Sequence, residues 1–199
     1  MVRFSKIIVG LDEAGRGPLA GKVYAAAVVL GPDHNIDGLR DSKKLSEAAR
    51  ESLNYEIKEK AFCFGIAYSD PEEIDQYNIH VASLIAMKRA YLALSLDANI
   101  AFVDGLYAPD LGCPTECVVG GDNKVQEIMA ASILAKYARD CDMKEMDKIF
   151  PQYGFAKNKG YPTKLHKEAI LHCGITPIHR KSFGPCKPYI LDKEKSFLP

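Results

Sequence analysis

Five short apolar runs, separated by turns and helical patterns, constrain the fold of this 199-residue chain more than any other feature of its sequence. Their length and composition are typical of β-strands, and they cover residues 6–11, 23–30, 62–68, 100–103 and 116–119. Helical patterns cover residues 46–60, 79–96, 124–149 and 163–173, and a further helix start lies at Asp70-Pro71. The early strands follow one another, whereas later ones alternate with helices. This order predicts an α/β fold: a mixed five-stranded sheet flanked by helices, with a C-terminal basic helical segment.

Nothing in the sequence divides the chain, because it contains no repeat, low-complexity block or long linker. We therefore expect one domain over residues 1–199, with residues 151–199 as a basic appendage packed on it. The longest apolar run, residues 24–30, is far shorter than the ~20 residues that span a bilayer. The first ten residues carry no signal-peptide pattern, and the six cysteines form no CxxC pair. These features predict a cytoplasmic protein with reduced thiols and no membrane partner, and we expect a monomer.

The 26 basic and 26 acidic residues are unevenly distributed along the chain. Residues 156–199 hold nine Lys/Arg against three Asp/Glu, whereas the first 155 residues hold seventeen against twenty-three. One interpretation is a solvated basic tail. The other is an acidic centre beside a basic surface that binds a polyanion.

Carboxylates stand at the ends of three predicted strands: Asp12 with Glu13, Asp104 and Asp122. Because ligand sites in α/β sheets form where strands give way to loops, these acids are candidates for convergence. Hard oxygen ligands favour Mg²⁺ or Mn²⁺, and two such ions roughly 4 Å apart support phosphodiester hydrolysis. The alternative for Asp104 or Asp122 is ordinary turn chemistry, since Asp is common in turns.

The glycines at positions 15, 17 and 21 follow the first acidic pair and predict a backbone turn rather than a nucleotide-phosphate loop. Gly10 and Gly15 have P-loop spacing, but Arg16-Gly17 replaces the required Lys and Ser/Thr. The glycines are better suited to bring the backbone close to a nucleic-acid strand, with Arg16 and backbone N–H groups contacting it.

Seven ordered blocks carry a family resemblance: residues 10–21 (GLDEAGRGPLAG), 41–45 (DSKKL), 103–105 (VDG), 130–136 (AASILAK, followed by Arg139-Asp140), 150–155 (FPQYGF), 159–163 (KGYPT) and 180–185 (RKSFGP). Together they resemble the ribonuclease HII family over nearly the whole chain. The resemblance implies a ribonuclease H-like fold and an endonuclease that cuts RNA paired with DNA, using Mn²⁺ or Mg²⁺ and leaving a 3′-hydroxyl and a 5′-phosphate. It also implies incision at single ribonucleotides embedded in duplex DNA, and hence a part in ribonucleotide excision.

The resemblance further implies a role for each matching residue. The catalytic and metal-binding carboxylates are Asp12, Glu13, Asp104 and Asp122. The loop that reads the ribose 2′-hydroxyl is Gly15, Arg16 and Gly17, and Tyr161 helps to sense the RNA–DNA junction. Basic side chains expected on substrate phosphates are Lys43, Lys44, Lys157, Lys159, Lys164, Arg180 and Lys181.

The sequence departs from the family pattern near the fourth carboxylate, where Gly120 stands in place of the usual lysine and Met129 in place of a serine.

Two alternative functions remain open. A ribonuclease HIII-like enzyme usually carries a Gly-Thr-Gly loop and an extra N-terminal domain, whereas nine residues precede Gly10 here. A catalytically inert hybrid-binding module would gain nothing from clustered negative charge.

Overall fold

The computed structural model describes residues 6–40 and 42–189, so Asp41 of the DSKKL block and the last ten residues of the predicted appendage lie outside it. Its strands are β1 (Ile8–Ala14), β2 (Val23–Val29), β3 (Cys63–Ser69), β4 (Ile100–Asp104) and β5 (Thr115–Val118). Its helices are α1 (Glu47–Lys60), α2 (Pro71–Leu92), α3 (Gln126–Ile149), α4 (Phe155–Asn158) and α5 (Lys164–Cys173). Short 3₁₀ turns cover Ser42–Lys44, Gly121–Asn123 and Pro151–Tyr153.

The five strands form one mixed sheet in the order β3-β2-β1-β4-β5, which confirms the predicted fold class. Strand β1 pairs antiparallel with β2, and β2 pairs antiparallel with β3. On the other side β1 pairs parallel with β4, and β4 pairs parallel with β5. The carboxyl ends of β1, β4 and β5 therefore lie at the same edge of the sheet.

Helices cover both faces of the sheet. Val9 and Leu11 of β1 pack in one apolar cluster with α2, and Ala26 and Val28 of β2 pack in a second cluster with α1 and α3. A Cβ atom at Gly10 would lie 2.2 Å from the backbone carbonyl carbon of Glu127, so this glycine lets the start of α3 touch β1. Helix α3 therefore approaches the sheet closely at this point.

The segment after α3 packs on the rest of the chain through a third apolar cluster. Tyr153, Phe155 and Ile170 contact Met143 of α3 and Leu19, which lies between β1 and β2. The prediction of a single domain over residues 1–199 stays a prediction. Within the described ranges, no helix has the length and apolar character that crossing a bilayer demands.

Most predicted strand and helix ends differ from the structure by one or two residues, and the largest differences lie at the end of β1 and the end of α2. Strand β1 runs on to Ala14 instead of ending at residue 11, because Asp12 and Glu13 pair with β2 although they are charged. The helix predicted to reach residue 96 ends at Leu92. Ser95 has a φ of +53°, which is incompatible with a right-handed helix. Strand β5 begins one residue earlier than predicted.

Helix α2 combines the helix start at Asp70 with the long helical stretch predicted after it. The two meet at a kink at Asn78, whose φ is +66° and whose side-chain oxygen accepts the N–H groups of His80 and Val81 at 2.9 and 3.1 Å.

We expect Gly10→Ala to destabilise the protein strongly, because the added methyl group meets the backbone of α3. Overpacking of this kind costs about 1–3 kcal/mol of unfolding free energy, and more where backbone must move. Urea unfolding measures this cost. The control is Gly31→Ala, since no atom lies within 4 Å of a Cβ there. Equal stability of the two variants would contradict the close approach.

Candidate active site

Asp12 and Asp104 lie side by side on neighbouring strands of the sheet. Leu11 of β1 and Val103 of β4 are register partners, and both side chains belong to the cluster under α2. Because side chains alternate along a strand, the next residue on β1, Asp12, points to the opposite face, where Ser132 of α3 lies. Asp104 is the last residue of β4 and also lines the smaller cleft on the α2 side with Glu13. Two carboxylates on neighbouring parallel strands are thereby placed together.

The surroundings of Asp12 disfavour its ionised form. It is 4% exposed, and burial together with the charges of Glu13 and Asp104 raises its pKa well above the usual value. Its Oδ1 accepts the Glu13 N–H at 2.7 Å, and the Ser132 hydroxyl opposes the rise. Burial raises the pKa of Glu13 too, opposed by the nearby Arg16 guanidinium and reinforced by Asp104.

The Glu13 side chain approaches Asp12 and Asp104 from the other face of the sheet. It follows Asp12 directly, so the strand pleat turns its side chain toward α2, where the Nη1 of Arg16 lies 3.5 Å from its Oε1. Within residues 6–40 and 42–189, no three Asp, Glu, His or Cys side chains stand close enough together to make a ready metal site. The structure therefore brings Asp12, Glu13 and Asp104 into electrostatic contact without converging their oxygens on one point.

Asp122 joins this region through the turn that carries it. The Gly121 N–H donates to Asp104 Oδ1 at 2.7 Å, so the Gly121–Asn123 turn is fastened to the end of β4. Asp122 itself is 6% exposed, with the Lys43 Nζ 3.6 Å from its Oδ2. Lys44 donates to Asn123 Oδ1 at 2.5 Å. These two lysines place positive charge beside the turn in which Gly120 replaces the family's lysine.

The loop between β1 and β2 is organised by the buried side chain of Arg180. All five guanidinium N–H groups donate to backbone carbonyls at 2.6–3.3 Å, those of Gly15, Arg16, Pro18, Gly21 and Lys22. The expectation that Arg180 contacts substrate phosphates is therefore wrong: the side chain is fully buried and its donors are used. Its positive charge lies beneath the loop instead of on the surface.

A second buried guanidinium, that of Arg139, lies beside the first. It donates to the carbonyls of Ala20, Lys22 and Lys159, and its Nη1 is buried without a hydrogen-bond partner. Neither arginine forms an ion pair with a carboxylate in the described part of the chain. Two positive charges under one loop favour an anion in front of it.

The arginines also orient the loop's peptide groups. Because a trans peptide is planar, the N–H of one residue points away from the carbonyl of the residue before it. The carbonyls of Gly15 and Arg16 are turned inward to Arg180, so the N–H groups of Arg16 and Gly17 are turned outward. A Cβ at Gly15 would lie 2.2 Å from Arg139 Nε, and its φ is +104°, so glycine is required there.

A cleft of about 230 Å³ opens in front of this loop. Five predicted substrate-binding residues line it together with Glu13: Gly15, Arg16, Gly17, Lys43 and Tyr161. Tyr161 covers Gly17, where a Cβ would lie 3.5 Å from its ring, and the Arg139 guanidinium lies 5.8 Å from the ring centre. The lining of this cleft does not include five of the lysines predicted to contact phosphates: Lys44, Lys157, Lys159, Lys164 and Lys181.

Sequence reasoning missed four residues that line the cleft: Ser42, Ser132, Lys136 and Arg139. Ser42 and Ser132 share a hydrogen bond of 2.8 Å, and Lys136 lies 2.6 Å from Asp140, which also binds Arg50. All four lie in or beside the blocks quoted for the family resemblance, but a block gives no role to its individual members. A smaller cleft of about 90 Å³ lies on the other side of Glu13 and Arg16, toward His80 and Tyr107.

Comparison with known proteins agrees with this geometry. Residues 9–186 match the family model described as Ribonuclease HII. The chain is 56% identical over 187 residues to the ribonuclease HII of Marinomonas sp. (strain MWYL1), covering 94% of each protein. It is 52% identical over 182 residues to that of Vibrio parahaemolyticus, covering 92% of this chain and 86% of the relative.

Solved structures share the fold. The crystal structure of ribonuclease H2 from Pyrococcus horikoshii OT3 superposes with a TM-score of 0.79 at 22% identity, covering 95% of this chain and 99% of that one. Bst-RNase HIII in complex with Mn²⁺ superposes with a TM-score of 0.70 at 16% identity, covering 96% of this chain and 71% of that one. The family model and the relatives agree on one family, and the chain belongs to the ribonuclease HII family.

Proposed function

We propose that this chain is a divalent-metal-dependent endonuclease that hydrolyses the RNA strand of RNA–DNA hybrids and incises at ribonucleotides embedded in duplex DNA. The observation that carries the proposal is that Glu13, in electrostatic contact with Asp12 and Asp104, lines a cleft whose wall is the Gly15–Gly17 loop. Cleavage breaks the P–O3′ bond, so water adds to phosphorus and the products end in a 3′-hydroxyl and a 5′-phosphate.

The carboxylates fit a hard divalent cation by their donor chemistry. Asp12, Glu13, Asp104 and Asp122 offer oxygen ligands alone, which suits Mg²⁺ or Mn²⁺. Burial, and after it the charges of Glu13 and Asp104, raise the pKa of Asp12, and a bound cation would offset both by neutralising charge. We infer that two ions bind here, and a bound ion would supply an activated water and stabilise the leaving oxygen. The Mn²⁺ complex of the HIII structure supports this choice of ion.

The Gly15–Gly17 loop and Tyr161 select ribose. The outward N–H groups of Arg16 and Gly17 are donors at the cleft wall, where the ribose 2′-hydroxyl distinguishes RNA from DNA. Gly17 has no side chain, so a sugar approaches the backbone closely, and the Tyr161 ring closes the cleft above it. The charges of Arg139, Lys136 and Lys43 attract the phosphate backbone without reading its sequence.

Two observations argue against the alternative functions, a ribonuclease HIII-like enzyme and an inert hybrid-binding module. The HIII-like enzyme is not favoured, because the family model and the relatives at 52–56% identity are ribonucleases HII. The inert binding module conflicts with four retained carboxylates, and cleavage assays separate it from an enzyme. A role in ribonucleotide excision, the cytoplasmic location and the monomeric state stay predictions.

We expect Asp104→Asn to reduce nicking of duplex DNA with one ribonucleotide by about 10²-fold or more, since a metal site contributes several kcal/mol to such a reaction. The amide oxygen of Asn still accepts the Gly121 N–H, so the fold is retained. A gel assay with Mg²⁺, Mn²⁺ or chelator measures the rate, and circular dichroism measures folding.

The matched control is Glu116→Gln, which removes a carboxylate from an exposed position on β5. It should cleave like the wild type. Turnover by the folded Asp104→Asn protein at the wild-type rate would overturn the metal assignment, and binding without any metal-dependent product in the wild type would favour the inert module.

We expect Gly17→Ala to fold normally and to cleave poorly. The added Cβ would lie at an ordinary contact distance of 3.5 Å from Tyr161, so stability should change by about 0.5 kcal/mol or less. The methyl group separates the ribose from the loop backbone, and the loss of one substrate hydrogen bond lowers kcat/KM about 10-fold. Thermal unfolding and the nicking assay measure the two effects. Unchanged kcat/KM would remove the loop from substrate recognition.

A further inference from the structure

Two buried histidines behind the cleft form a chain of hydrogen bonds that ends on Tyr161. His166 and His179 are both fully buried, and their Nε2 atoms lie 3.1 Å apart. At one end, His179 Nδ1 lies 2.9 Å from the Thr176 backbone nitrogen and 2.8 Å from the Thr176 hydroxyl oxygen. At the other end, His166 Nδ1 lies 2.9 Å from the Tyr161 carbonyl oxygen.

The contacts determine where each proton lies. The Thr176 N–H always donates, so His179 Nδ1 accepts from it and from the Thr176 hydroxyl, and a neutral His179 carries its proton on Nε2. That Nε2–H donates to His166 Nε2, which leaves the proton of His166 on Nδ1. The Nδ1–H then donates to the Tyr161 carbonyl, an atom that only accepts. One pair of tautomers satisfies every contact.

Both rings are neutral in this arrangement. Burial lowers the pKa of His166, and burial together with neighbouring His166 lowers the pKa of His179 to about 4. The aromatic rings of Tyr153 and Phe155 pack against the pair and exclude water. While His179 Nδ1 accepts from Thr176, a positive charge on His166 would place N–H groups on both sides of the shared contact, and a charge on His179 would set an Nδ1–H against the Thr176 N–H.

The carbonyl at the end of this chain belongs to the residue that closes the cleft. It also accepts the Thr163 N–H at 2.8 Å, and Thr163 caps α5, the helix that carries His166. Asn158 supports the same turn, since its side-chain oxygen accepts the Gly160 N–H at 2.7 Å. The Tyr161 ring itself is 42% exposed and rests against Gly17. Its position therefore depends on its backbone more than on packing of the ring.

We propose that His179 and His166 are positioning residues that set the backbone of Tyr161, and through it the grip on the ribonucleotide junction, by a relay of hydrogen bonds from Thr176. The proposal rests on the proposed function of Tyr161 as a substrate contact. Neither histidine touches substrate, so the relay acts on substrate binding and leaves the chemical step unchanged.

Nitrogen-15 NMR of the wild-type protein at pH 7 tests the relay directly. We expect His166 as the Nδ1–H tautomer, His179 as the Nε2–H tautomer, and a scalar coupling between their two Nε2 nuclei across the hydrogen bond. The reversed tautomers, or a charged ring, would overturn the proposal without bearing on metal-dependent cleavage.

Steady-state nicking of a single-ribonucleotide duplex tests the consequence. His166→Leu removes the donor to Tyr161, and we expect KM to rise about 3- to 10-fold, the effect of one hydrogen bond, with kcat retained. His166→Asn keeps a side-chain N–H near the position of Nδ1 and should restore most of KM. A purely structural role would instead lower kcat with the active fraction, and would not distinguish Asn from Leu.

Tyr161→Ala separates this proposal from the proposed function. It should raise KM, and adding His166→Leu to it should raise KM no further, because the two changes act through one contact. Additive effects would overturn the relay. If Tyr161→Ala leaves KM unchanged, the role of Tyr161 and the relay both fail, while metal-dependent cleavage by the carboxylates stands.

Discussion

The repulsion between buried carboxylates on adjacent parallel strands is the constraint on which the rest of this structure depends. The register of β1 and β4 pairs Leu11 with Val103, so the residues that follow, Asp12 and Asp104, lie beside each other. Burial and charge raise the pKa of Asp12 as a result. Such an arrangement is costly for a fold alone, and it becomes useful when a divalent cation binds.

Positive charge on the other side of the cleft complements this acidic group. Arg180 and Arg139 lie beneath the loop from Gly15 to Lys22 and bind its carbonyls instead of carboxylates. Their charge is thus available to an anion, and their geometry turns amide N–H groups toward the cleft. The cleft thus combines cations and outward N–H donors with the Glu13 carboxylate, an arrangement that suits a nucleic-acid substrate.

The sheet, its helical layers and the acidic strand ends could be predicted because they follow from local periodicity and turn residues. The role of Arg180 could not, since its five acceptors lie about 160 residues away in sequence and a motif shows only that an arginine is present. The same holds for the His166–His179 contact, which exists only after α5 packs on the loop that follows it. The extension of β1 through Asp12 and Glu13 was missed because charge normally argues against a paired strand.

The central claim, that Asp12 and Asp104 share a cation, is tested most directly by thermal unfolding of wild type and Asp104→Asn with Mn²⁺ alone or with chelator. A bound ion stabilises the native state by mass action. We predict that Mn²⁺ raises the Tm of the wild type and that Asp104→Asn loses most of this rise. In chelator, Asp104→Asn should be at least as stable as the wild type, because one repelling charge is gone. A wild-type Tm that does not respond to Mn²⁺, or an equal rise in both proteins, would contradict it.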